Sequence, residues 1–309
     1  MRVQLTTALV VGPSSPAVRN TGSAAREQQS LREARDHFGR SLALYKAIGQ
    51  VTNQLGLEQN LALIALVNED EDALELQGEV LRKAEAKGEW AVAAAIRQNT
   101  GNHFLKHEDW SRALEEYRAG LTIAARASDP LSDSANLDWG AGIAQEGLGR
   151  GREALEHLTR ALATSERQKR WAEAFGVAIK VAQMYQSAGR DSDAEAALER
   201  ALRAGESLGL RGPEMARYYR LLAKFRQRSG RLAAAVDAME RSAGLADLLK
   251  LPDRAQTRKE LAAMRRPGPS GEDRGLEDLS VLFKERVAVL DFVDASPGAR
   301  FRLARRRQR

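Results

Sequence analysis

Cysteine is missing from all 309 residues. That excludes disulfides, thiolate metal sites and thiol nucleophiles, and it suits a reducing, cytoplasmic compartment. Aromatic residues make up only 5% and histidines number four, His37, His103, His107 and His157. His103 and His107 have the i, i+4 spacing of a metal pair, but Phe104, Leu105 and Lys106 lie between them, where a zinc protease carries its glutamate base. No third ligand is evident, so no metal site is expected. Gly147-Leu148-Gly149-Arg150-Gly151 follows a helical stretch, and no Lys-Ser/Thr pair follows it, so it is a turn and not a phosphate loop. Carboxylates are spread over every helical stretch and no pair stands in an apolar surround, so no catalytic residue is assigned and neither an enzyme nor a cofactor is expected. No apolar run approaches the ~20 residues of a membrane helix.

What is abundant is Ala, Leu, Glu and Arg, a helix-forming composition. It is organised by a repeat. Ala34, Ala73, Ala113, Ala154, Ala194 and Ala235 recur at intervals of 39 to 41 residues. Their surroundings match: EDALELQGEVL, SRALEEYRAGL, REALEHLTRAL, SDAEAALERAL and AAAVDAMERSA. Gly149-Arg150, Gly189-Arg190 and Gly230-Arg231 precede three of the alanines. Gly101, Gly142, Ala182 and Ala223 stand twelve residues ahead of four of them, where small residues let antiparallel helices cross closely.

This pattern resembles the tetratricopeptide repeat family, in a variant of about forty residues, over roughly residues 31–266. The resemblance implies an all-α fold, an α-α superhelix forming a right-handed solenoid of about six helical hairpins. First helices are expected near 53–67, 89–105, 132–147, 170–187 and 212–228. Second helices are expected near 71–87, 110–127, 151–168, 191–208 and 232–249. A helix from about residue 23 carries Leu31, Ala34, Phe38, Leu42 and Tyr45 on one stripe and caps the array. A charged helix over 253–266 closes the other end. Residues 1–22 form a flexible leader, 267–275 (PGPSGEDRG) a linker, and 276–309 an amphipathic segment with a basic tail. The amphipathic segment folds back on the array or docks on another chain.

Charge is uneven: about −4 over residues 1–210, about +8 over 211–266 and about +2 beyond. In the resembling family first helices line the concave face, so the resemblance places Gln98, Asn102, Asn136, Trp139, Ile143, Gln183, Arg217, Arg220, Lys224 and Arg228 in a peptide-binding groove. That groove is mixed polar and apolar in the middle and cationic at its C-terminal end. The implied function is a protein–protein interaction scaffold for a peptide or protein segment bearing acidic groups. The rival is a regulatory sensor that controls a partner in trans, as in bacterial signalling regulators of related architecture. Nucleic acid is a weaker candidate despite a pI near 9.7, because the aromatics within the basic block of 211–266 are Tyr218, Tyr219 and Phe225, which the repeat register requires for packing.

Overall fold

The computed structural model describes residues 21–49, 54–127 and 131–265. Among them the chain forms helices and no strand. The helices are α1 (Thr21–Ala47), α2 (Gln54–Asn68), α3 (Ala73–Ala86), α4 (Trp90–Lys106), α5 (Trp110–Ala124), α6 (Leu131–Gly147), α7 (Gly151–Arg167), α8 (Trp171–Ser187), α9 (Asp191–Ser207), α10 (Pro213–Arg228), α11 (Leu232–Leu248) and α12 (Arg254–Arg265). The expected first helices are α2, α4, α6, α8 and α10, and the second helices α3, α5, α7, α9 and α11, each bounded within three residues of expectation. One boundary is corrected: α1 begins at Thr21, inside the span expected to be leader. The linker, amphipathic segment and basic tail lie outside the described residues.

The beat is kept by the turns. Glu69, Gly88, Glu108, Gly149, Lys169, Gly189, Gly209, Gly230 and Lys250 all have φ between 53° and 76°. At each, two backbone hydrogen bonds close the preceding helix. Arg150 N–H donates to Gln145 O at 2.9 Å and Gly149 N–H to Glu146 O at 2.9 Å, and the same pair recurs from Asp70 to Leu251. This is the Schellman closure, which requires a left-handed residue just past the helix. Glycine occupies that position without strain, whereas glutamate or lysine there costs about 1–2 kcal/mol. Helix starts add their own signals. The Asp109 carboxylate accepts from Arg112 N–H at 3.1 Å to cap α5, and Pro213 opens α10 after Gly212.

The chain packs as two compact units, with the division between His157 and Leu158 inside α7. In the first unit Leu55, Leu81, Ile96, Leu105, Leu114, Tyr117 and Leu137 share one buried core. Tyr117 of α5 is its wedge. A Cβ added to Gly101 on α4 would meet its ring at 2.9 Å, and one added to Gly140 on α6 would meet it at 2.2 Å. The ring thus fills a gap that exists only because two glycines face it. In the second unit Phe175, Val177, Leu198, Leu202, Met215, Tyr218, Leu221, Leu222, Phe225 and Met239 are buried. Ala113, Ala154, Ala194 and Ala235 have no exposed surface, which explains their recurrence. At the ends burial thins out. The stripe of α1 is only half-buried, and Thr257 is the one buried residue of α12.

Candidate peptide-binding face

The aligned alanines fix a register for the first helices. Eighteen residues ahead of Ala113, Ala154, Ala194 and Ala235 stand Ala95, Asn136, Gly176 and Arg217. Fifteen ahead stand Gln98, Trp139, Ile179 and Arg220, and eleven ahead Asn102, Ile143, Gln183 and Lys224. The outer two rows are half-buried in all four copies. In the middle row Gln98 and Ile179 are buried, while Trp139 and Arg220 are half-buried. These rows form a repeated, partly open helix face, because the core rows on either side take the contacts with the second helices.

In the first unit α4 packs against α6, which puts Gln98 and Asn102 on the helix beside Asn136, Trp139 and Ile143. Asn102 is held in place: its Oδ1 accepts from the Tyr117 hydroxyl at 2.6 Å. Burial alone pushes the Tyr117 phenol well above its ordinary pKa, so it stays a neutral donor. Ile143 rests on the core, and Gln98 is 6% exposed, too covered to meet a ligand without a change of rotamer.

In the second unit the cationic residues are engaged by the protein itself. The Arg220 guanidinium straddles the Glu260 carboxylate, with Nε at 2.7 Å from Oε2 and Nη2 on Oε1, and Nη1 reaches Asp253 at 3.0 Å. Both carboxylates belong to the final hairpin turn and α12. Burial alone would raise the Glu260 pKa, but the hydrogen bond and charge of Arg220, with help from Gln256 and Lys224, hold it below the usual value. Arg228 pairs with Asp191 at the start of α9. Arg220 is therefore partly neutralised by α12, a pairing that the spacing of the first helices does not reveal.

Other polar clusters went unseen in the sequence. Glu195, 3% exposed, receives Arg226 and Arg231, and Arg226 also reaches Glu199 at 2.8 Å. His157 Nδ1 lies 2.7 Å from Asp138 Oδ1 across the α6–α7 hairpin. His157 stands three residues past Ala154, and Asp138 sixteen ahead of it, so the register alone pointed to the pairing. The rings of His103 and His107 lie 4.6 Å apart, tilted by 57°, and among the described residues no group of three or more His, Cys, Asp or Glu is arranged to hold a metal ion. The Gly149 segment is a Schellman turn between helices. No described helix is long and apolar enough to cross a membrane. A cleft of about 370 Å3 in the first unit and one of about 160 Å3 in the second are both lined by residues other than the ten expected ones.

No protein-family model matches the chain, and no curated protein matches it. Solved structures do. BtubC (BKLC) from P. vanneervenii is 18% identical with a TM-score of 0.54, covering 80% of this chain and 98% of that one. The apo form of RapI is 11% identical with a TM-score of 0.51, over 76% of this chain and 70% of its own. A Rap protein complexed with the competence and sporulation factor is 15% identical with a TM-score of 0.50, over 79% and 75%. At these identities the likeness is one of fold, and the fold is an α-α superhelical array of the tetratricopeptide type.

Proposed function

We propose that this chain is a protein-interaction scaffold that holds a peptide or protein segment against the open face of its first helices. The observation that carries this reading is the three-row register. Partly open positions recur in the outer two rows on α4 and α6 of the first unit and on α8 and α10 of the second, and the rows mix amides, an indole and cations with Ala95, Ile143, Gly176 and Ile179 instead of the alternating charges of an ordinary solvated face. Side-chain amides both donate and accept, so Asn102 and Asn136 suit a peptide backbone. Trp139 offers the large anchor that dominates binding energy at such surfaces. Arg217 and Lys224 favour acidic groups on the ligand. The Rap protein solved with the competence and sporulation factor supports this by fold.

A sensor role is favoured by one observation, the clamp of Arg220 on Glu260 and Asp253. A ligand carboxylate competes for the same guanidinium, and success releases α12. Charge reversal at Arg220 would itself repel α12, so the groove is better tested elsewhere. A displayed library of 12-residue peptides is panned against the full chain, and hits are titrated against Trp139→Ala and Asn136→Ala. Trp139→Ala should weaken the hits by about tenfold or more with helicity unchanged. Hits that bind both variants as tightly as the original protein would exclude this face.

A further inference from the structure

The first unit carries a second surface that the first-helix reading does not use. It is the cleft of about 370 Å3 between the α2–α3 turn and the α4–α5 turn. Its apolar part is made by Ala73, Leu74 and Phe104, with His103 and His107 beside them, and Leu74 is 43% exposed although it is a large aliphatic residue. Its rim is acidic. Residues 69–79 hold six carboxylates and no cation.

The cations near the cleft do not balance that charge. Lys106 is taken by Glu69, Arg35 by Asp70 at 2.8 Å, and Arg112 by Asp109 at 2.6 Å. Arg112 also lies over the Phe104 ring at 4.7 Å, so it lines the apolar wall while its charge is spent. Glu71, which lines the cleft, and Asp72, Glu75 and Glu79, which follow it in the sequence outside the lining, make no ion pair among the described residues. An apolar patch beside the unpaired Glu71 and the acidic start of α3 suits a segment that alternates arginine with bulky apolar side chains.

The chain supplies such a segment. Residues 299–309, ARFRLARRRQR, hold six arginines and no acid, with Phe301 and Leu303 set between Arg300, Arg302 and Arg305. In an extended backbone alternate side chains point to opposite sides, so Phe301 and Leu303 share one side and Arg300 and Arg302 the other. The 34 residues from Arg265 to residue 299 span roughly 110 Å at full extension. We infer that the cleft walled by Leu74 and Phe104 is the docking site of this chain's own arginine-rich segment, residues 299–309.

The absence of cysteine makes the test clean. Ala304→Cys in the full chain gives one thiol, to which a benzophenone maleimide is attached. After irradiation of a micromolar solution, the crosslinked peptides are mapped by mass spectrometry. The expected result is a monomeric product with crosslinks in 69–74 and 103–112, reduced at least fivefold by Leu74→Asp with Glu71→Lys and by raising NaCl from 50 to 500 mM. Leu74 and Glu71 are exposed, so circular dichroism of the double variant should match the parent. Crosslinks to other helices, or cleft crosslinks indifferent to the double variant, would overturn the assignment. A product that is mainly a crosslinked dimer would overturn it too, because the occupant would then be a second copy.

Discussion

Adding one methyl group at Gly140 should destabilise the first unit, although glycine to alanine in a helix interior ordinarily helps. Propensity alone favours Gly140→Ala by about 1 kcal/mol. Against it, the new Cβ would lie 2.2, 2.3 and 2.7 Å from three ring atoms of Tyr117. Carbon atoms rest at about 3.5–4.0 Å, so the ring must retreat by more than ~1 Å. It has nowhere to go. Its residue has no exposed surface, Gly101 faces it on the other side, and its hydroxyl is anchored on Asn102 at 2.6 Å. Overpacking of this kind costs about 1–3 kcal/mol, and a rigid, hydrogen-bonded ring belongs at or beyond the upper end. The net is a loss of about 2 kcal/mol. Gly39→Ala in α1 is the reference, since a Cβ there meets nothing within 4 Å, and it should gain up to about 1 kcal/mol. Urea unfolding followed by circular dichroism reads both. The double variant Gly140→Ala with Tyr117→Leu should be less destabilised than the two single changes added together. The wedge assignment fails if Gly140→Ala is as stable as the parent.

Four further outcomes are expected. Replacing Glu108 or Lys169 with glycine should raise stability by about 1 kcal/mol each, because both hold left-handed φ values of 58° and 57°; an unchanged melting temperature in both would refute the strain. His103 has a lowered pKa, first through burial and then through His107 and Lys106, with Glu69 opposing and Arg112 adding. The unfolded chain therefore takes that proton first, so stability present at pH 7 declines below about pH 6.5, and His103→Gln should flatten that decline. Glu260 has a lowered pKa, so its contribution is present above the ordinary glutamate value of about 4.3 and is lost as pH falls through its folded value; Glu260→Gln should remove this part of the acid transition. Gly244→Ala on α11, with open space around the new Cβ, should stabilise by about 1 kcal/mol, and a loss would mean that the face is covered in solution.

The helices were legible in the sequence because their signals are local. Alanines at helix crossings, Gly-Arg turns and prolines at helix starts depend only on nearby residues, and each expected helix lies within three residues of its place. The turns at Glu69, Glu108, Lys169 and Lys250 carried no glycine signal, and only the Schellman hydrogen bonds reveal that they share one geometry with the glycine turns. Close packing was legible only in part. Gly101 stood out in register, but the tightest approach to Tyr117 is at Gly140, two residues away from the small residue expected in that copy. Arg220 shows where periodicity stops informing. Its row and its spacing are those of a groove residue, yet its partner Glu260 lies 40 residues on, in a helix that the pattern marked only as charged. Which carboxylate meets which guanidinium depends on how α12 lies across the end, and no spacing rule encodes that.

The Tyr117 wedge has a mechanical corollary. A phenol ring keyed between glycines of adjacent hairpins prevents α4 and α6 from sliding past one another, so this junction yields abruptly and not by gradual slippage. Pulled from its amino end, the first unit would shed the thinly covered α1 at low force, then halt at this key until the ring is torn free.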